Sequence, residues 1–135
     1  MRDLIDAERE ALEGWLPNEA RVLAVVRGAP AAEGHPVWFA TTAGTMLATF
    51  CEVEPQRIRA RVSWILPYQM QRLDVLSESG QSLLRLITTT RRHLLRGVPE
   101  EEATRFAEQV RAAMLASRHE RAASPSAGPR LQSVS

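Results

Sequence analysis

In the stretch RIRARVSWIL, residues 57 to 66, arginine recurs at every second position as Arg57, Arg59 and Arg61. A guanidinium presents a rigid fork of N–H donors that can hold a carboxylate or a phosphate through two bonds at once. Side chains two apart on a strand share a face about 7 Å from one another. Three arginines so spaced make a row of anion-binding groups, or else a solvated face that pairs with acids on a neighbouring strand. Two residues flanking the loop GAPAAEGHP, Arg27 before it and His35 within it, could add to such a site. The candidate residues for an anionic partner are therefore Arg57, Arg59, Arg61, Arg27 and His35. Arg85, Arg91, Arg92 and Arg96 would extend the patch if their strands lie close to it.

Catalysis asks for a nucleophile or an acid/base pair held by partners, and few residues are arranged that way. His35, His93 and His119 fall in a loop, a late strand and a tail, and there is no His-Glu-x-x-His, Gly-x-Ser-x-Gly or Cys-x-x-Cys motif. Cys51 follows Met46, Ala48 and Phe50 near a strand end, where a thiol serves as a small apolar residue. The run Glu100 to Glu102 suits the first turn of a helix, whose N-terminal dipole favours acids. All 17 basic residues are arginine, so a phosphate-binding P-loop, which needs a lysine, is excluded. A binding protein without catalytic residues, metal or cofactor is the expectation. Aromatic residues make up 5% of the chain, which argues against a nucleic-acid surface built by base stacking.

With 135 residues, 44% of them hydrophobic, the chain has the size of one domain with a modest core. Its net charge of +1 gives no overall field to attract DNA or an anionic membrane, so any electrostatic partner must meet a local patch. A single cysteine rules out an internal disulfide and fits a reducing, cytoplasmic setting. The segment MRDLIDAEREALEGWLP is broken by charge every few residues and offers no signal-peptide core. No run approaches the roughly 20 apolar residues of a transmembrane helix.

The elements that would position these side chains can be read from periodicity. Leu4, Ile5, Ala11, Leu12, Trp15 and Leu16 form a helical stripe interrupted by Glu8, which predicts a short amphipathic helix over residues 3–16 within an N-terminal segment 1–16. From Pro17 the period becomes two. Seven strands are predicted at 21–27, 37–42, 45–53, 58–66, 71–77, 82–88 and 92–97, with tight turns at Ala43-Gly44, Glu54-Pro55 and Ser79-Gly80. Strands joined so closely must run antiparallel. After Gly97 the period returns to helical, with Pro99 at the first position and an apolar face of Ala103, Phe106, Val110, Ala113 and Met114, so a helix is expected over 99–118. A domain is thus expected over 17–118, followed by a disordered tail over 119–135 rich in serine, alanine, proline and glycine. Within the fourth strand Ile58, Ala60, Val62, Trp64 and Leu66 share a face, and Trp64 is expected to point inward under Phe106 and Val110.

The fold class expected is α+β and mainly β: one bent seven-stranded antiparallel sheet or partly open barrel, capped by a C-terminal helix and preceded by a short N-terminal one. The segments LPNEARVLAVVRG, VWFATTAGTMLATF, SWILPYQMQRLDV, SGQSLLRLI and LLRGVPEEEATRFAEQVRAAM stand in an order that resembles the bacterial pleckstrin-homology-like (PH-like) domains, over roughly residues 16–116. The turn Thr42-Ala43-Gly44-Thr45 departs from the polar, basic turn common in that family, so no role is carried over to that corner. The resemblance implies a binding module. Eukaryotic relatives that hold phosphoinositides do so with several basic residues around the first loop, whereas here the loop 28–36 offers only Glu33 and His35, with Arg27 before it. A cytoplasmic, non-catalytic module is expected, engaging a protein partner or itself through a sheet edge or the groove beside the last helix. The alternative expected use is as an adaptor that meets anionic lipid or nucleic acid on its arginine face.

Overall fold

Four antiparallel strands open the fold: β1 at Val22–Arg27, β2 at His35–Thr41, β3 at Gly44–Glu54 and β4 at Arg57–Ile65. The computed structural model describes residues 6–12, 14–54 and 57–123. A 3-10 turn at Pro67–Gln69 leads into β5 at Met70–Glu78, β6 at Gln81–Thr88 and β7 at Arg92–Val98, and a long helix at Glu100–Ala123 closes the chain. With the short helix α1 at Asp6–Ala11 placed first, that long helix is α2. The turns owe their form to local chemistry. The Thr41 hydroxyl accepts the Ala43 and Gly44 N–H groups at 3.1 and 3.2 Å and donates to the Gly44 carbonyl at 2.8 Å, which pins the β2–β3 hairpin. At the β5–β6 hairpin Ser79 and Gly80 both take positive φ, 51° and 81°, the two-residue turn whose twist matches its strands.

The strands form two sheets, β1-β2-β3-β4 and β5-β6-β7, rather than the single bent sheet expected. The break falls at Leu66. Its backbone N–H donates to the Gln69 side chain at 2.7 Å and its carbonyl accepts the Gln69 N–H at 2.9 Å, so the turn consumes groups that would have continued the ladder. Pro67 has no N–H to offer. At the opposite corner the sheets meet where the Ala29 N–H donates to the Arg96 carbonyl at 2.8 Å.

One core lies between the sheets and is closed by α2, with Ala103, Phe106, Ala107, Val110 and Met114 buried against Trp38, Leu47, Leu84, Leu86 and Leu95. The rings of Trp38 and Phe106 lie 6.3 Å apart, tilted by 48°, a favourable arrangement for aromatic pairs. A second cluster occupies the other face of the four-stranded sheet, where Leu12 packs on Val37, Phe39, Met46, Ala48 and Phe50. Because this sheet is covered on both faces, β2 is buried without a break from Val37 to Thr41 and shows no alternation.

The two clusters correct the reading of Trp64. It shares a face with Ile58, Ala60 and Val62 as its spacing required, but that face looks toward α1 and away from Phe106. Ile65, one residue on, fills the α2 side, and Leu66 is exposed beyond the strand end. The N-terminal helix is also shorter than the predicted 3–16: it ends at Ala11, and Gly14 adopts a φ of 87° that helices do not continue through. Residues 1–5 and 13 lie outside the described residues. At the other end α2 runs to Ala123, five residues into the segment expected to be disordered. The sequence HERAA contains no helix breaker, and the first one downstream is Pro125; the remainder of that tail lies outside the described residues.

If α2 plugs the core through Phe106, Phe106→Ala should lower the unfolding free energy by about 3–5 kcal/mol, measured by urea denaturation. Leu115→Ala, on the exposed side of the same helix, should change it by no more than about 0.5 kcal/mol. Equal losses in the two variants would show that α2 is not docked by this face.

Candidate functional site

Among the described residues β4 is the outermost strand of its sheet, hydrogen-bonded to β3 alone. In the antiparallel register Arg57, Arg59 and Arg61 stand opposite Glu54, Cys51 and Thr49, and all three arginines are exposed. Their face is the one that holds Ile65. That residue is only 5% exposed, whereas Ser63, next on the same face, is already open to solvent. The inner face of β4 thus leaves the shared core within one strand step, and the arginines continue it into water.

Arg27 and His35 do not join this row. In the register Arg27 lies opposite Val37 and His35 opposite Phe50, both members of the outer cluster, so the two residues belong to the opposite face of the sheet. Arg27 is engaged there. Its Nη2 and Nη1 donate to Glu8 Oε1 and Oε2 at 2.6 and 3.1 Å, and Glu8 is only 4% exposed beneath α1. The residue that seemed to interrupt the apolar stripe of α1 is therefore its polar anchor. A carboxylate so buried is tolerable because a guanidinium meets it through both oxygens.

The later arginines divide in the same way. Arg85 donates to Asp74 at 2.8 and 3.1 Å and Arg72 does so at 3.1 Å, which holds the Asp74 carboxyl below its ordinary pKa, chiefly through the Arg85 bond and against the opposing effect of burial. Arg96 is paired with Glu78. Arg91 is different. Among the described residues it makes no ion pair, and it stands in the β6–β7 turn beside a recess of about 180 Å³ at the open corner between the two sheets.

That recess is walled by Ser63, Trp64 and Ile65 of β4, Gln69 of the 3-10 turn, Thr88, Thr89, Thr90 and Arg91 of the β6–β7 turn, and His93 of β7. The turn is fixed from within: the Thr88 hydroxyl accepts the Thr90 and Arg91 N–H groups at 3.4 and 3.1 Å, and the Thr88 N–H donates to the Arg91 carbonyl at 2.9 Å. Burial, and then the positive charge of Arg91, push the His93 imidazole below its ordinary pKa. Among the described residues no carboxylate lines the recess. Its donors suit an oxyanion, and among the described residues no group of His, Cys, Asp and Glu could hold a metal ion. Periodicity did not reveal this place; the signal available was the hydroxyl run Thr88-Thr89-Thr90 directly before two arginines. Cys51, elsewhere, donates its thiol to the Glu33 carbonyl at 2.6 Å and so tethers the β1–β2 loop.

A histidine held below its ordinary pKa binds a proton more readily in the unfolded chain, so its contribution to stability is complete above about pH 6.5. It is lost progressively as pH falls from there toward the folded value. Urea midpoints of the unaltered protein should therefore fall between about pH 7 and about pH 5 by more than those of His93→Gln. Parallel pH profiles would mean that His93 titrates freely in the folded protein. Comparison with known protein families, with curated proteins and with solved structures finds no match to this chain, and the reading of the site rests on its geometry.

Proposed function

We propose that this chain is a non-catalytic, PH-like binding module of the cytoplasm, and that it takes an extended, acidic segment of a partner protein along the open edge of β4. The observation that carries the reading is the coincidence of two features on one strand. β4 has nine residues with a backbone edge that no other strand of its sheet pairs, and three of those residues are arginines on one face. Strand addition to such an edge supplies affinity through main-chain hydrogen bonds, while side chains at alternate positions supply selectivity. An added strand with acids at every second residue would place each opposite an arginine. Pairing of β4 with β4 of a second copy, in the register that keeps their arginine faces on one side, would instead set arginine against arginine, a destabilising arrangement, so an acidic partner fits this edge better than self-association in that register. The PH-like reading is supported by the order of the segments quoted above and by a run of seven antiparallel strands followed by a closing helix. No helix among the described residues is long and apolar enough to cross a membrane.

A synthetic peptide with aspartate or glutamate alternating with β-branched residues provides the test. Its addition should shift the backbone amides of residues 57–65, and the triple variant Arg57→Gln, Arg59→Gln, Arg61→Gln should abolish the response. The same variant should lose only about 0–1 kcal/mol of stability per exposed pair removed. Binding to anionic vesicles or to nucleic acid that falls steeply with salt and disappears in the triple variant, with no response to the peptide, would replace this reading by that of an adaptor for anionic surfaces.

A further inference from the structure

We infer that the recess at the open corner is a separate site for a phosphate monoester, with Arg91 as its charged anchor. Within this molecule the carboxylate of Glu8 shows how arginine meets a planar anion, the Arg27 guanidinium placing one nitrogen on each oxygen. The recess is furnished differently. Hydroxyls of Ser63 on β4 and of Thr89 and Thr90 on the turn share it with Arg91, so donors come from two separate segments of chain. A tetrahedral oxyanion carries more oxygens than the fork can hold, and hydroxyls from two sides can take the remainder.

Charge and rigidity point the same way. Arg91 makes no ion pair among the described residues, and no acid lines the recess to repel an anion or to compete for the guanidinium. The Thr88 hydrogen bonds set the turn before any ligand arrives, which lowers the ordering cost of binding. Ile65, on the same face of β4 as Ser63, borders the recess as an apolar contact for the organic part of an ester. Its volume of about 180 Å³ suits a small head group rather than a large one. The site draws Ser63 from the end of β4 but does not need the arginine row, because its anchor belongs to the β6–β7 turn.

Glycerol 3-phosphate as a soluble ester, and phosphatidylcholine vesicles doped with phosphatidic acid as a lipid one, present the same chemical group. Glycerol 3-phosphate should shift the amides of Ser63, Thr88, Arg91 and His93 in a saturable manner. Arg91→Gln should weaken its binding about tenfold or more, whereas Arg105→Gln on the exposed side of α2 should not. Arg91 is exposed, so the variant should keep the spectrum of β6 and β7. The triple variant of β4 should still bind the ester; failure of the acidic peptide would then leave this inference standing, and success of the peptide would not rescue it. Response to the soluble ester assigns the site to a small phosphorylated molecule, and response to the vesicles alone, lost in Arg91→Gln, assigns it to a lipid head group. Shifts spread evenly over Arg57–Arg61, or binding indifferent to Arg91→Gln, would overturn the inference.

Discussion

A four-stranded sheet that must hide both of its faces governs the rest of this molecule. β2 is buried throughout its second half, and neither face of the sheet could remain in water without exposing Trp38, Phe39, Met46 or Leu47. The inner face is covered by the three-stranded sheet and by α2, whose Phe106 meets Trp38. Covering the outer face falls to α1 and the chain after it, through Leu12 and the partly buried Leu16. The described residues of α1 bring little apolar area to that face. The Glu8–Arg27 pair adds direction to that contact, since a carboxylate this deeply buried must keep its guanidinium or bear the cost of an unpaired charge.

The same constraint explains where the exposed arginines fall. The inner face of β4 is covered only near Ile65, where the second sheet and α2 reach it. Beyond that point the strand has a free edge and an uncovered face together, which in an apolar sequence would invite pairing with any passing chain. Charged side chains on such an edge discourage indiscriminate association. On the reading proposed above, an edge guarded by one sign of charge would also admit a strand of the opposite sign, so that protection and recognition would follow from the same three residues.

Arginine is the only basic residue available to this chain apart from histidine, and its members are used in two ways. Arg27 and Arg96 are each held by one carboxylate, Glu8 and Glu78, while Arg72 and Arg85 share that of Asp74, so most of their charge is balanced where they stand. Arg91 has no such partner among the described residues, and its charge is felt by the neighbouring His93. A net charge of +1 therefore conceals a local positive potential at the open corner, since the field at a site depends on which charges are paired rather than on their sum.

The strands, the turns at Ala43-Gly44 and Ser79-Gly80 and the start of α2 were legible because each depends on neighbours close in sequence, while the turn predicted at Glu54-Pro55 passes outside the described residues. Alternation of Arg57, Arg59 and Arg61 with Ile58, Ala60 and Val62 identifies a strand with two unlike faces, and Pro99 with the acids after it identifies a helix start. Only the tertiary structure decided which way each face looks. Period two separates Trp64 from Ile65 but cannot say that α1 lies on one side and α2 on the other, because those helices are far away in the chain. For the same reason Glu8 read as a flaw in an apolar stripe until Arg27, nineteen positions later, was brought to it. The break between the sheets at Leu66 and the recess beside Arg91 likewise arise from segments that meet only on folding. Local periodicity is a property of the backbone and its nearest neighbours; pairing of charges and closure of surfaces are properties of contacts across the fold, and these the chain acquires only when its distant parts pack.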